Sequence, residues 1–288
     1  MTTINDKIIR VFARRTSMTP TDELAFFDEP PLFDLPELPV RVSVAFTWDI
    51  PRGYMLYRAW QKRFKNVRIG GPAITPRPGR FVPGRFLSPG ITITSRGCPK
   101  CCPWCHVKFR EYDICELPIE PGYIIQDNNL LACSEKHICK VFAMLGEQSR
   151  AACFRGGLDI DYLRSWHVDL LRSIRVSEIW IACDSEASIA NLDKAADLLS
   201  DFPEEKKRCY CLVGYDLWPD KDTPAKAERR CAAIYAKGFL PFAQLYQVAQ
   251  WTEYSPEWKA VQRKWCRPAA YRKKKFVQAG PYVLAKER

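Results

Sequence analysis

From residue 90 onward, short apolar runs alternate with segments whose apolar residues recur at helical spacing. This alternation predicts a mixed α/β domain with a parallel sheet and right-handed crossover helices. Ser134 marks the start of one helix that ends at Gly146, and Thr223-Pro224 opens another that ends at Gly238. The predicted strands are 91–95, 123–127, 152–155, 178–183, 208–213 and 240–246.

The segment before residue 90 divides in two. Residues 1–39 show no clear periodicity and contain several prolines with acidic residues between them, which indicates an extended arm on the surface. Residues 40–89 form a small predicted β-α-β unit, with strands at 40–47 and 67–72 and a helix at 52–64. The main domain then covers 90–250, and a basic segment covers 251–288.

A cysteine-rich loop directly follows the first strand of the main domain. Counted from Cys98, the thiols of Cys98, Cys102 and Cys105 fall at C-x3-C-x2-C spacing. This spacing can hold three irons of a cubane cluster and leave the fourth iron open to an outside ligand. The same stretch, counted with Cys101, also contains two abutting C-x2-C pairs, which are the usual half-sites of structural zinc. Adjacent Cys101 and Cys102 would have to point into one zinc site, a strained arrangement, so the cluster is favoured.

With Trp104 directly before the last cysteine and the entry Thr94-Ser-Arg-Gly-Cys-Pro99, this loop resembles the radical SAM superfamily. The resemblance implies a partial (β/α)6 TIM-like barrel over 90–250, and a [4Fe–4S] cluster on Cys98, Cys102 and Cys105. In that family S-adenosylmethionine binds the open iron. An electron from an external donor such as flavodoxin or ferredoxin passes through the cluster and cleaves S-adenosylmethionine. The product is a 5′-deoxyadenosyl radical, which abstracts hydrogen from a substrate. The cofactor then performs the radical step, and the protein positions it.

The resemblance also assigns residues at the end of the third predicted strand. Gly156 and Gly157 resemble a Gly-Gly-Glu motif that holds the methionyl amino group of the cofactor. Leu158 stands at the acidic position and Asp159 follows one residue later. The amino group is then met by backbone carbonyls or by Asp159. A further alternative is that Asp159 caps the next helix.

Two later strand ends are assigned in the same way. Asp184 and Ser185 end the fourth strand, where the resemblance places polar groups against the ribose hydroxyls, although both residue types are also common helix caps. Val213 and Gly214 end the fifth strand and resemble the segment that lies along the adenine, where glycine permits close backbone approach. Trp104 is the aromatic residue expected beside the adenine.

Other polar residues gave weaker indications. Asp127, Asn128 and Asn129 end the second predicted strand and are candidates for the substrate side, although this composition is also ordinary in turns. His137 and His167 fall in predicted helices, where surface or capping roles are expected. The substrate itself stays unknown.

Charge and cysteine usage add two expectations. Ten basic residues stand against two acidic ones in 255–288, a net +8 out of +11 for the 288-residue chain. Aromatic residues interleave with them, which suits a nucleic-acid or nucleotide substrate and a nucleic-acid partner, although a solvated surface has the same composition. The aromatic residues in question are Trp258, Trp265, Tyr271 and Phe276.

The thirteen cysteines, without a signal peptide or an apolar span, predict a reducing cytoplasmic location and no membrane partner.

Two alternative functions follow from the same features. The first is a non-enzymatic, zinc-stabilised module that binds nucleic acid through 255–288. The second is a cobalamin-type radical SAM methylase, because Gly70-Gly71-Pro72 resembles the end of the cobalamin-binding domain that precedes many radical SAM barrels. The chain has no Asp-x-His-x-x-Gly motif for the lower cobalt ligand, so a vestigial scaffold is favoured over bound cobalamin.

Overall fold

The computed structural model describes residues 7–75, 81–111, 113–215, 221–247 and 253–276. Its contacts divide the chain into two units, one of Met1–Ser177 with Gln247–Trp251 and the other of Glu178–Tyr246 with Thr252–Arg288. The protein is mixed α/β with parallel sheets, as the alternating pattern predicts. Within the described segments, no helix combines the length and the apolar character that crossing a bilayer requires.

A four-stranded parallel sheet lies at the start of the first unit, in the order β2-β1-β3-β4. One helix, α1, packs against it, and the shared core is Ile9, Val11, Val40, Val42, Leu56, Trp60, Phe64 and Val67. The elements are β1 (Ile9–Phe12), β2 (Ala25–Phe26), β3 (Val40–Ser43), α1 (Ile50–Gln61) and β4 (Val67–Gly70).

The prediction of an extended arm over residues 1–39 is therefore wrong for β1. All four residues of this strand are buried, and it lies between β2 and β3. The strand is only four residues long and its burial does not alternate, so it lacks the period-two pattern by which a half-buried strand is detected. Its one charged residue, Arg10, is buried and forms an ion pair with Asp22.

The larger sheet has six strands in the order β12-β11-β10-β9-β8-β5. Within the first unit, β8 pairs in parallel with both β5 and β9. The predicted strand 91–95 is interrupted, because its last residue belongs to β6, which pairs antiparallel with β7. The elements of this region are β5 (Ile91–Thr92), β6 (Ser95–Arg96), α2 (Val107–Arg110), β7 (Cys115–Glu116), β8 (Ile124–Ile125), α3 (Glu135–Gly146), β9 (Ala152–Phe154) and α4 (Ser165–Ser173).

The second unit contains most of β10 and all of the later elements. Strand β11 pairs in parallel with β10 and with β12. The predicted helix starts are confirmed in both units, since Ser134 accepts a hydrogen bond from His137 N and Thr223 accepts one from Lys226 N. The elements are β10 (Val176–Ala182), α5 (Ile189–Leu198), β11 (Lys207–Val213), α6 (Pro224–Ala236), β12 (Leu240–Leu245), α7 (Pro256–Trp265) and α8 (Pro268–Phe276).

The basic C-terminal segment is helical where the structure describes it, and it packs within the second unit. Trp265 and Tyr271 are buried. The indole Nε1 of Trp265 donates to Glu228 at 2.7 Å, and the hydroxyl of Tyr271 donates to Pro241 O at 3.2 Å. These two rings belong to the core of the unit, so neither of them is available to stack on a base.

Candidate functional site

The entry to the cysteine loop is held by the buried carboxylate of Asp127, two residues after β8. Its Oδ1 accepts a hydrogen bond from Thr94 N at 2.6 Å, and its Oδ2 accepts from the hydroxyls of Thr94 at 2.6 Å and Ser95 at 2.8 Å. Burial raises the pKa of Asp127, and the hydrogen bonds from Thr94 and Ser95 oppose that rise. Asp127 is buried, and its carboxylate anchors the loop entry.

The neighbouring Asn129 links the first cysteine to the acid that follows β9. Asn129 is 2% exposed, and its Nδ2 donates to Asp159 Oδ2 at 2.9 Å and to Cys98 Sγ at 3.4 Å. Its Oδ1 is buried without a hydrogen-bond partner among the residues that the structure describes. Sequence reasoning placed Asn129 on the substrate side, whereas the structure places it against the cysteine loop.

Lys100, within the loop, fixes the same acid from the other side. Its Nζ lies 2.9 Å from Asp159 Oδ1 and 2.6 Å from Asp161 Oδ2. Burial lowers the pKa of Lys100, but the hydrogen bonds to Asp161 and Asp159 outweigh it, and the pKa lies above its ordinary value. Sequence reasoning missed this lysine, although its place between two cysteines of the motif was a signal.

Asp159 does not cap the next helix, so that alternative is wrong. Helix α4 begins at Ser165 with Arg164 at its N-cap. Asp159 instead stabilises a local turn, because its Oδ1 accepts a hydrogen bond from Asp161 N at 3.1 Å. Its carboxylate is thus shared among Lys100, Asn129 and its own turn.

The two glycines after β9 are required for different reasons. A Cβ atom at Gly156 would collide with the backbone oxygen of Asp127, and Gly156 N donates to Ile125 O at 2.9 Å. Gly157 has φ +91°, and no atom lies within 4 Å of the position where its Cβ would stand. The first glycine lets β9 approach the anchor of the loop, and the second adopts a positive φ that other residues rarely take. Leu158, at the acidic position of the family motif, is buried.

The cysteines themselves differ in exposure. Cys98, Cys102 and Cys105 are half-buried, whereas Cys101 is exposed. Cys105 N donates to Cys102 O at 3.0 Å, which forms a tight turn, and Trp104 in this turn is half-buried. Within the described part of the chain, no three His, Cys, Asp or Glu side chains are grouped closely enough to hold a metal ion.

The donor set nevertheless fits an iron–sulfur cluster in its chemistry. Three soft thiols lie on one loop, and an amide N–H already contacts the first of them, as amide donors do around cluster sulfurs. The three sulfur atoms have to move together before they can hold a cluster.

In the second unit, Asp184 and Ser185 follow β10. Asp184 Oδ1 accepts a hydrogen bond from Leu212 N at 2.8 Å. Ser185 N donates to Ser188 Oγ at 3.1 Å, and Ser188 is the N-cap residue of α5. Asp184 therefore joins two strands and does not cap α5, while Ser185 belongs to the turn that leads into the helix.

Val213 and Gly214 end β11. The side chain of Val213 is buried, and its carbonyl oxygen accepts a hydrogen bond from Tyr246 N at 2.9 Å. Gly214 N donates to Asp222 Oδ2 at 2.9 Å, and a Cβ atom at Gly214 would lie 2.7 Å from a ring carbon of Tyr254. The side of Gly214 on which a side chain would project is therefore covered by an aromatic ring of the same unit.

The two helical histidines are buried, not on the surface. His167 Nδ1 accepts a hydrogen bond from Arg164 N at 3.0 Å, which confirms a capping role. Burial and the positive charge of Arg164 lower the pKa of His167 to about 4. His137 lies with its Nδ1 3.7 Å from Glu116 Oε2.

Comparison with known proteins adds no family to this picture. No protein-family model matches the chain, and no curated protein matches it either. The functional assignment therefore rests on the cysteine loop and on the side chains that hold it.

Proposed function

We propose that this chain is a radical SAM enzyme that binds a [4Fe–4S] cluster through Cys98, Cys102 and Cys105, and S-adenosylmethionine at the open iron. When bound and reduced by an external electron donor, the cluster supplies the electron that cleaves the cofactor to methionine and a 5′-deoxyadenosyl radical, which abstracts hydrogen from a substrate. The open parallel sheet supports a partial (β/α)6 barrel, with the cysteine loop following its first strand.

The hydrogen bond from Asn129 to Cys98 Sγ is the observation that carries this proposal. A buried amide N–H stabilises a thiolate and the negative charge on a cluster sulfur. Structural zinc sites also accept such bonds, but they need a fourth ligand. The fourth thiol of the loop, on Cys101, is exposed, while the other three are half-buried.

The residues after β9 have separate tasks in this proposal. The Asp159 carboxylate is already shared by Lys100 and Asn129, so it holds the loop. The methionyl amino group then meets backbone carbonyls near Gly157, where no atom lies within 4 Å of the position that a Cβ would take. The family motif has an acidic residue at the position of Leu158, and buried Leu158 offers no charge to the amino group. Backbone carbonyls are the alternative that remains.

Anaerobic reconstitution of single cysteine variants tests the ligand assignment. The wild type and Cys101→Ala should each bind about four irons and four sulfides per chain. Cys98→Ala, Cys102→Ala and Cys105→Ala should each lose most of both. Cys101→Ala is the matched control, because it removes a thiol from the same loop.

Three other outcomes would contradict or change the proposal. A colourless protein with one zinc per chain and no sulfide would identify a zinc-stabilised binding module. Loss of iron from Cys101→Ala as complete as that from Cys98→Ala would refute the assignment of the three ligands. Corrinoid that co-purifies with the protein would move the function to the cobalamin-type methylases.

A further inference from the structure

A row of three arginines crosses the N-terminal sheet on the face away from α1. In the parallel register, Arg10 of β1 is the partner of Arg41 of β3, and Arg41 is the partner of Arg68 of β4. Residues at one register position point to the same face, so these side chains lie side by side. Like charges in adjacent positions destabilise a sheet, and because Asp22 neutralises Arg10, it is Arg41 and Arg68 that need a reason other than stability.

This face forms the floor of a cavity of about 460 Å³ within the first unit. That volume lies in the range of small-molecule pockets, roughly 300–1,000 Å³. The second wall is the segment 81–87, which Arg10 fixes by donating to Gly84 O and Arg85 O, each at 3.1 Å. Ser88 continues this attachment, because its hydroxyl donates to Thr19 O at 2.9 Å. The cavity is therefore held by specific contacts at its base.

The charges that line the cavity are unbalanced. Of its five arginines, Arg14 pairs with Asp49 and Arg96 lies 3.7 Å from Glu111. The other three are Arg41, Arg68 and Arg85, which form no ion pair with a carboxylate among the described residues. One nitrogen of Arg41, Nη1, donates to Val40 O at 2.9 Å and to Asn66 Oδ1 at 3.3 Å, and both of these acceptors are uncharged.

Burial lowers the pKa of Arg41, and the positive charges of Arg68 and Arg85 lower it further. Arg68 and Arg85 therefore each repel Arg41, and an anion bound beside Arg41 would offset that repulsion.

We propose that this cavity binds a small phosphate ester with an aromatic or apolar body, such as a nucleoside phosphate. Guanidinium groups form paired hydrogen bonds with phosphate oxygens, and Arg41, Arg68 and Arg85 supply them. The apolar lining from Phe12, Phe81, Phe86, Leu87 and Ile93 covers the body of the ligand. Ile93 and Arg96, at the entry to the cysteine loop, also line the cavity, whereas no described residue of the basic C-terminal segment does.

Calorimetric titration with ADP, pyrophosphate and adenosine at low salt tests the site. ADP and pyrophosphate should bind the wild type and weaken as salt rises, and adenosine should bind at least about tenfold more weakly than ADP. Arg41→Gln/Arg68→Gln should weaken ADP binding about tenfold or more. The control Arg58→Gln/Lys62→Gln removes two exposed charges at α1, across the sheet, and should bind ADP as the wild type does.

Folding and the cluster are controlled separately. Because the arginines repel one another, the double variant without ligand should melt at or above the wild-type temperature. If it does not fold, Arg85→Gln on the opposite wall provides the same test. Cys98→Ala should keep ADP binding, which separates this site from the cluster.

Failure of ADP and pyrophosphate to bind the wild type, or equal affinity of the arginine variants, would overturn the proposal. Binding of single-stranded RNA without any binding of ADP would overturn it as well.

Discussion

Asn129 donates a hydrogen bond from its side-chain amide to the sulfur of Cys98, with 3.4 Å between Nδ2 and Sγ. The same amide nitrogen lies 2.9 Å from Asp159 Oδ2, and Asp159 in turn holds Lys100 of the loop. One buried amide therefore connects the first cysteine with the acid that follows β9. Changes at Asn129 should affect the electronic properties of a cluster on Cys98 as well as the order of the loop.

Asn129→Ala should lower the reduction potential of the reconstituted cluster. An N–H donor stabilises the extra negative charge of the reduced form, so its loss disfavours reduction. Asn128→Ala is the matched control and should keep the wild-type potential. Asn128 also holds the loop entry, because its Oδ1 accepts a hydrogen bond from Gly97 N, but that bond does not involve a cysteine sulfur. A redox titration followed by electron paramagnetic resonance measures the potential of each variant. Equal potentials in the wild type and Asn129→Ala would show that this hydrogen bond is absent in the loaded protein.

Gly156→Ala should destabilise the protein more than Gly157→Ala. The new methyl group at Gly156 meets the backbone of Asp127, which cannot move without disturbing the anchor of the loop. At Gly157 there is space, and the cost is that of a left-handed backbone, about 1–2 kcal/mol. Urea unfolding of both variants checks the order, and a smaller loss for Gly156→Ala would contradict the packing described at β9.

Stability should fall between pH 6.5 and about pH 4 through His167. Its pKa is lowered from 6.5 to about 4 in the folded chain, so in this interval the unfolded state takes up a proton that the folded state refuses. The contribution is complete above pH 6.5 and is lost as the pH falls. NMR titration of His167 gives its pKa directly. In His167→Gln the decline in unfolding free energy over this interval should be smaller, and an unchanged decline would exclude His167 as its source.

The helices and most strands could be predicted because their signals are local. Ser134 and Thr223 mark helix starts through one side-chain hydrogen bond each, and both act as caps in the structure. Strand β1 could not be predicted, because its burial depends on pairing with residues about thirty positions away, and its sequence does not alternate. The parallel register with β3 defines the position of this strand.

The candidate site also combines features that depend on local sequence with features that depend on contacts between distant residues. The cysteine spacing is a short-range pattern and could be read directly, and so could Gly156 and Gly157. The roles of Asp127, Asn129 and Lys100 depend on contacts between separate strand ends. Sequence position alone placed Asp127 and Asn129 with a substrate, whereas burial and hydrogen bonding assign them to the cysteine loop.

Cleavage of S-adenosylmethionine by the reduced, reconstituted protein tests the central claim most directly. Chromatography should show 5′-deoxyadenosine and methionine in equal amounts from the wild type and from Cys101→Ala, even without a substrate, and none from Cys98→Ala. The open iron and an electron source suffice for this slow uncoupled reaction. If the wild type carries an intact, reduced cluster and forms no 5′-deoxyadenosine, this chain is not a radical SAM enzyme.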